Sequence, residues 1–448
     1  MDDVFAYIDA HRDEYIGILK GLTAIPSVSA QGTGIAATAS AVAGLLSGCG
    51  FSARQYETGG NPVVYAEQPG AADRRLTFYD HYDVQPAEPL ELWASDPWQA
   101  EIRDGRIWGR GVADNKGNLA ARIAAMDAVK QVRGGLPLTV KFIVEGEEEI
   151  GSIHLEDFTR DHPELVASDG CIWESGGHDE QSRQLINLGM KGICYVELRA
   201  RGALEDLHSS RATRIPNPAW RLVWALGLLK DQYERVLIPG FYDRVLEPTA
   251  EEIAALESIP DVSSEEKARV GIDRYLLGLE GMEMKLRDYF QPTCTISGLL
   301  SGYTGPGSKT VLPSRAMAKV DMRLVPDQDP VEIFQALRAY LDENGFGDIE
   351  AELLGPELPG RTPLTAPLAS IVAETYTELT GRESIKIPTS QGTGPWHVLC
   401  TAFDIQGSTA GAGHPATNVH APNENIYVED YINHIKHVVM IMDRFAAS

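Results

Sequence analysis

Four short stretches concentrate side chains that can bind metal ions or move protons. They are Tyr79-Asp80-His81-Tyr82-Asp83-Val84-Gln85-Pro86, the run 109–117 (GRGVADNKG), the run 145–152 (EGEEEIGS), and Cys171-Ile172-Trp173-Glu174-Ser175. Three of them follow directly on a predicted strand. Ligand sites in open α/β sheets lie beyond the carboxyl ends of the strands, so His81, Glu148, Glu149 and Glu174 are expected to reach one edge together. Imidazole and carboxylates without thiolate suit zinc, manganese or cobalt in a hydrolytic site. One carboxylate can bridge two ions, and a water held between them loses its proton near neutral pH. A further carboxylate must stay free to accept that proton. Glu148 and Glu149 are neighbours at a strand end and point in different directions, so one can bind metal while the other serves as the base.

The elements that must carry these groups show as alternating patterns. Strands are predicted at 62–66, 76–79, 139–144 and 171–173, with helices at 4–22, 35–49 and 118–132. That alternation argues for an α/β domain with a largely parallel sheet. From Ile193 the texture changes, since 193–199 and 318–324 have the pattern of half-exposed strands. With a helix at 219–229, a strand at 295–299, a helix at 331–344 and a strand at 349–354, the order is β-α-β-β-α-β, the ferredoxin-like pattern. A helical, acidic stretch at 248–288 lies inside it. A Pro- and Gly-rich linker at 355–367 leads to a helix at 368–380, a strand at 401–406 and a closing helix at 429–445. These patterns predict a catalytic domain (1–190 and 359–448) interrupted by an inserted domain (191–358).

Composition narrows the function classes. The 39 basic against 64 acidic side chains give a net charge of −25, which excludes a general nucleic-acid binder. Cys49, Cys171, Cys194, Cys294 and Cys400 are scattered and form no CxxC, so neither a disulfide framework nor a thiolate zinc site is expected, and the expected compartment is the cytoplasm. Asp2 and Asp3 stand where a secretory signal carries basic residues. The least polar run, 35–51, is broken by Thr38, Ser40, Ser47 and Gly48 and has the pattern of a buried helix, so no membrane role is expected.

The motifs HYDVQP, GRGVADNKG, EGEEEIGS and a late HAPNENI (His420 to Ile426), in this order, resemble the metallopeptidase family that includes carnosine dipeptidase, aminoacylase-1, glutamate carboxypeptidase and succinyl-diaminopimelate desuccinylase. The resemblance runs over nearly the whole chain. It implies an α/β fold with a three-layer, phosphorylase/hydrolase-like catalytic domain around a mostly parallel central sheet, and an inserted ferredoxin-like α+β lid or dimerisation domain. It also implies two divalent ions, zinc first, with manganese or cobalt as alternatives. One ion falls to His81, Asp114 and Glu174 and the other to Asp114, Glu149 and His420, with Asp114 bridging and Glu148 as general base. Asp83 takes the part of the acid that orients the ligand His81, and Asp114-Asn115 falls where the family has a cis peptide.

The inserted domain carries matches of its own. Asp206-Leu207-His208-Ser209 resembles a segment of the carnosinase-like branch whose His reaches the neighbouring subunit's active site, which implies a homodimer. The stretch 306–313 with Thr310, together with Arg323, resembles the part that holds the substrate carboxylate, a task suited to the planar guanidinium fork. Ser390-Gln391-Gly392-Thr393-Gly394-Pro395 stands where the family has its cleft-lining loop, with Thr393 and Gly394 as substrate contacts. The implied activity is hydrolysis of an amide bond in a dipeptide or short peptide with a free carboxylate, with an N-acyl amino acid as the alternative substrate. One departure bears on that choice. The dipeptidase branch has Asp at the first-ion acidic position, whereas Glu174 matches the aminoacylase, desuccinylase and carboxypeptidase branches.

Other residues favour plainer roles. Glu147 is expected to be the spare acid of its run, in an exposed salt-bridging role. His414, His434 and His437 are expected to stay out of the site, and Asp169 and Asp179 are the competitors of Glu174. The glycine-rich run 302–310 fails as a phosphate loop because Ser308 separates Gly307 from Lys309. A non-catalytic relative would have lost Glu148 or a ligand, and none is lost.

Overall fold

In the computed structural model, which describes residues 1–448, the strand Ala72–His81 lies inside a six-stranded sheet. The order is Ser52–Tyr56, Val63–Gln68, Leu138–Glu145, Ala72–His81, Gly170–Trp173, Gln406–Thr409. The first two pairings are antiparallel and the other three parallel. Leu76 through His81 are all buried, as are seven of the eight residues of Leu138–Glu145, as expected of parallel strands covered on both faces. His81 pairs in register with Glu145, so the first and third motifs leave the same sheet edge side by side. Helices Lys116–Arg133 and Val428–Ala446 pack against each other and against Ala72–His81, within one continuous apolar core.

A buried cation ties the strand ends to that helix layer. The Arg122 guanidinium pairs with Asp80 at 2.8 Å and donates to the carbonyls of Tyr79 (2.9 Å), Trp173 (2.6 Å) and Ala410 (3.0 Å). It thereby binds the ends of two strands and the segment after a third. Gly117 allows the Asp114 loop to turn back onto its helix, because a Cβ there would meet Val112 O at 2.0 Å.

The chain divides into two compact units: Met1–Gly189 with Arg361–Thr389 and Pro395–Ser448, and Met190–Gly360 with Ser390–Gly394. In the second, the strands are ordered Thr295–Ser301, Arg315–Leu324, Gly189–Arg201, Glu350–Glu357, and all three pairings are antiparallel. With helices Pro218–Leu226 and Pro330–Glu343 between them, this is the ferredoxin-like arrangement that the alternating pattern predicts. Ala316, Ala318, Val320, Met322 and Leu324 face its core, which leaves Lys319, Asp321 and Arg323 on the opposite face. The acidic stretch forms helices Ala250–Ser258, Ser263–Val270 and Gly281–Phe290.

Three local readings differ from the structure. The helix predicted over 4–22 is two, Asp2–Ala10 and Arg12–Thr23, parted at His11; the apolar spacing runs on through the break and hides it. The strand predicted at 401–406 is a turn, Thr401–Phe403, closed by Asp404 in the left-handed region, and the strand itself is Gln406–Thr409. Its buried residues are Gly407, Ser408 and Thr409, which carry no apolar signal. The predicted linker begins inside a strand, since Glu350–Glu357 continues to its last residue. No helix is long and apolar enough to cross a membrane.

Candidate metal centre

Four of the five predicted ligands converge through short contacts. His81 Nε2 lies 3.0 Å from Asp114 Oδ1, His420 Nε2 lies 3.0 Å from Asp114 Oδ2, and His420 Nε2 is 3.1 Å from Glu149 Oε2. His81, Asp114 and Glu149 offer ligand atoms all within 4.8 Å of one another. His420 is held with φ at 62°, a left-handed conformation uncommon for a residue with a Cβ. The fifth, Glu174, follows strand Gly170–Trp173, is buried, and accepts from Asn115 Nδ2 at 3.1 Å; the Asp114–Asn115 peptide is cis. Asp83 holds the far side of His81, with Nδ1 at 3.1 Å from its carbonyl and 3.4 Å from its Oδ1. The Glu148 carboxylate makes no hydrogen bond to the protein.

The donor set fits divalent ions. If the His81 Nδ1 proton goes to Asp83, Nε2 presents a lone pair to a carboxylate oxygen, an arrangement that is repulsive unless a cation lies between them. The same need arises at His420 on the other oxygen of Asp114. Two tetrahedral ligands about 2.0–2.2 Å from one ion stand roughly 3.3–3.6 Å apart, and the separations of 3.0–3.1 Å fall a few tenths of an ångström short of that spacing. A proton on each imidazole would meet the same need in the bare protein. Burial alone would lower His81 and raise Asp114, yet the bonds of His81 to Asp114 and Asp83 push the imidazole well above its usual range, and those of Asp114 to His420 and His81 push the carboxyl well below. His420 is raised to about 10 by its bonds to Asp114 and Glu149. Burial, with Asp114 next, lifts Glu174 to about 7, and burial lifts Glu148 well above the carboxylate range against the pull of His81. A cluster so short of positive charge has room for ions of charge two.

Several residues that build the site escaped sequence reasoning. Glu424, fully buried, accepts from the main-chain N–H groups of Gly111 (3.0 Å), Ala113 (2.8 Å) and Asp114 (3.0 Å) and pairs with Arg110 at 2.7 Å. It moulds the loop that presents Asp114, from more than 300 residues away in sequence. Its place in the HAPNENI motif was the only available signal. Asn118 Nδ2 and Asn115 Nδ2 both hold the Glu174 carbonyl. Glu147 corrects the expectation of an exposed acid: it is 5% exposed, accepts from Asn61 N, and pairs with His154 Nδ1 at 2.8 Å. His414 bonds to Asn425 and Ala416, while His434 and His437 are buried in the closing helix.

The remaining predicted residues belong to the second unit, in two groups. Arg323 donates from Nη1 to Thr393 Oγ1 at 2.6 Å and from Nε to Asp321 at 3.1 Å, with Gly394 following in the same segment. One N–H on each Nη remains, the pair that can grip a carboxylate end-on. His208 is exposed beside Thr310, since His208 pairs with Val311 and Ser209 N bonds to Thr310 O; its Nδ1 is engaged by Ser210.

Residues 77–444 match the model of Peptidase family M20/M25/M40. The chain belongs to that family. This M20 peptidase is thus a hydrolase of metallopeptidase type. It is 31% identical over 386 residues to a Beta-Ala-His dipeptidase of Rattus norvegicus, covering 79% of this chain and 77% of that one. Among solved structures it superposes with a TM-score of 0.92 and 39% identity on the metallo-carboxypeptidase Sso-CP2 of Sulfolobus solfataricus, over 97% of this chain and 100% of that one. Human carnosine dipeptidase 1 gives a TM-score of 0.80 at 25% identity, with both chains fully covered.

Glu424→Gln tests the loop. Without the carboxylate, Arg110 keeps a buried, uncompensated charge, so the substitution should cost about 3–5 kcal/mol in urea unfolding of the metal-stripped protein and weaken metal binding. An unchanged unfolding midpoint would show that Glu424 does not carry this loop.

Proposed function

We propose that this M20 peptidase uses two divalent ions, zinc first with manganese or cobalt as alternatives, to hydrolyse the amide bond next to a free C-terminal residue in a dipeptide or short peptide. The reading rests on one observation above others: two imidazole nitrogens, each 3.0 Å from a different oxygen of Asp114, beside a Glu148 carboxylate with no protein partner. His81, Asp114 and Glu174 would hold one ion and Asp114, Glu149 and His420 the other. When bound, the ions polarise the scissile carbonyl and acidify the attacking water. Glu148 takes the proton of that water on its carboxylate and returns it to the leaving amine.

Arg323, with Thr393 and Gly394 beside it, would hold the substrate carboxylate. His208, flanked by Thr310, would serve the active site of a second copy in a homodimer, where its Nε2 donates to the oxyanion of the attacked carbonyl. A dipeptidase and a carboxypeptidase among the relatives support the peptide reading over the N-acyl alternative. Glu174, the carboxypeptidase-type acid, is compatible with both, because a dipeptide is the shortest substrate that ends in a free carboxylate. The five free, buried cysteines support a reducing cytoplasm.

The deciding experiment is a hydrolysis panel of dipeptides, tripeptides, their C-terminal amides and N-acyl amino acids, run on chelator-stripped enzyme reloaded with each metal. Peptides with a free carboxylate should be cleaved and the stripped enzyme should be inert; N-acyl amino acids as the sole substrates would overturn the reading. In the same panel Arg323→Ala should lose rate on acids far more than on amides, since a hydrogen bond to a charged group contributes about 1.5–3 kcal/mol. Equal loss on both would leave Arg323 a structural residue.

Glu148→Gln should keep the metal content by elemental analysis while turnover falls about 10²–10⁴-fold, because the amide replaces only the proton acceptor. Wild-type turnover would remove Glu148 from the mechanism. Finally, inactive His208→Ala and inactive Glu148→Gln proteins, mixed under conditions that exchange subunits, should recover activity, since one site of each mixed dimer is intact. No recovery, or a fully active monomer, would rule out a shared site.

A further inference from the structure

The segment after strand Ala72–His81 stays extended, and its side chains alternate. Tyr82 N donates to Glu145 O and Val84 N to Ser27 O, and the Tyr82 and Val84 side chains are fully buried away from the cluster. His81, Asp83 and Gln85 therefore share the opposite side. His81 meets Asp114. Asp83 braces His81 and also accepts from the Glu149 N–H at 3.1 Å. Gln85 Nε2 donates to both the carbonyl (3.1 Å) and Oε2 (3.0 Å) of Glu149. Only an NH₂ group can face two acceptors, so the amide orientation is set by chemistry.

One neutral side chain thus clamps the backbone and the carboxylate of Glu149 at once. Oε2 already has Gln85 and lies 3.1 Å from His420 Nε2. The carboxylate cannot turn freely, and one lone pair of Oε2 is taken. The geometry points to Gln85 as a positioning residue that holds Glu149 as a single-oxygen ligand and sets the affinity for the ion shared with His420. This rests on the two-ion reading above. A neutral donor suits the position: a cation would compete with the ion, a carboxylate would repel Glu149, and an aliphatic side chain would leave Glu149 free to rotate.

The test is a metal titration of Gln85→Met, close in size but without donors, against competing chelator with zinc and separately with cobalt. The first ion should bind as in wild type and the second roughly 10–100-fold more weakly, the usual cost of losing a partner behind a ligand. Turnover should fall at limiting metal and recover as free metal rises, which a packing defect would not do. Gln85→Asn, which keeps the amide but is one methylene too short, should behave in the same way. Two isotherms superimposable on wild type would overturn the proposal, and so would equal weakening of both ions. If the wild-type protein binds one ion only, the two-ion reading itself falls, whatever Gln85 does.

Discussion

Everything at the ion-binding edge depends on one carboxylate serving two imidazoles. Asp114 can do so only if its backbone is fixed, its neighbours are kept from pairing with it otherwise, and the gathered negative charge is tolerated until cations arrive. The fold meets each condition with buried ionic groups rather than apolar packing. Glu424 and Arg110 fix the loop from below. Lys116, buried and lowered to about 7 mainly by that burial, spends its ammonium on the carbonyls of Leu22 and Ile25. Arg122 likewise binds Asp80 and four carbonyls. These cations are committed to backbone and to their own acids, and none forms an ion pair with Glu148, Glu149 or Glu174. The charge deficit stays where ions can use it.

The same economy explains why the ligands come from strand ends. Parallel strands paired as closely as Ala72–His81 and Leu138–Glu145 deliver His81 and Glu145 side by side, and the extended run beyond that pairing supplies Asp83 and Gln85. Precision is inherited from the sheet, where rotation and register are already fixed by burial on both faces. Asp114 and His420 come from turns, and at His420 the chain adopts a left-handed conformation.

Much of this was legible in the sequence because ligand types and strand ends coincide locally. His81, Glu148, Glu149 and Glu174 each sit at or just after an apolar run that announces its strand, and the ferredoxin-like order follows from alternation as regular as that of Ala316 to Leu324. What was not legible depends on distant partners. Glu424 accepts from N–H groups 310 to 313 residues earlier in the chain, and nothing near it in sequence shows which ones it will meet. Glu147 looked like a spare acid because His154 and Asn61 are joined to it only by the fold. Strand Gln406–Thr409 is made by its neighbour Gly170–Trp173 and not by its own composition.

The division into units also separates the residues of the two proposed tasks. Every candidate ligand and the candidate base belong to the first unit, whereas Arg323, Thr393, His208 and Thr310 belong to the second. The segment Ser390–Gly394 makes the point most clearly: it lies between two stretches of the first unit yet belongs to the second, and its Thr393 is gripped by Arg323. Under the proposed roles, bond hydrolysis and recognition of the substrate's end would then vary independently, because the hydrogen bonds of Arg323 and Thr393 are made within the second unit. A family whose relatives carry both dipeptidase and carboxypeptidase names is what such an arrangement allows.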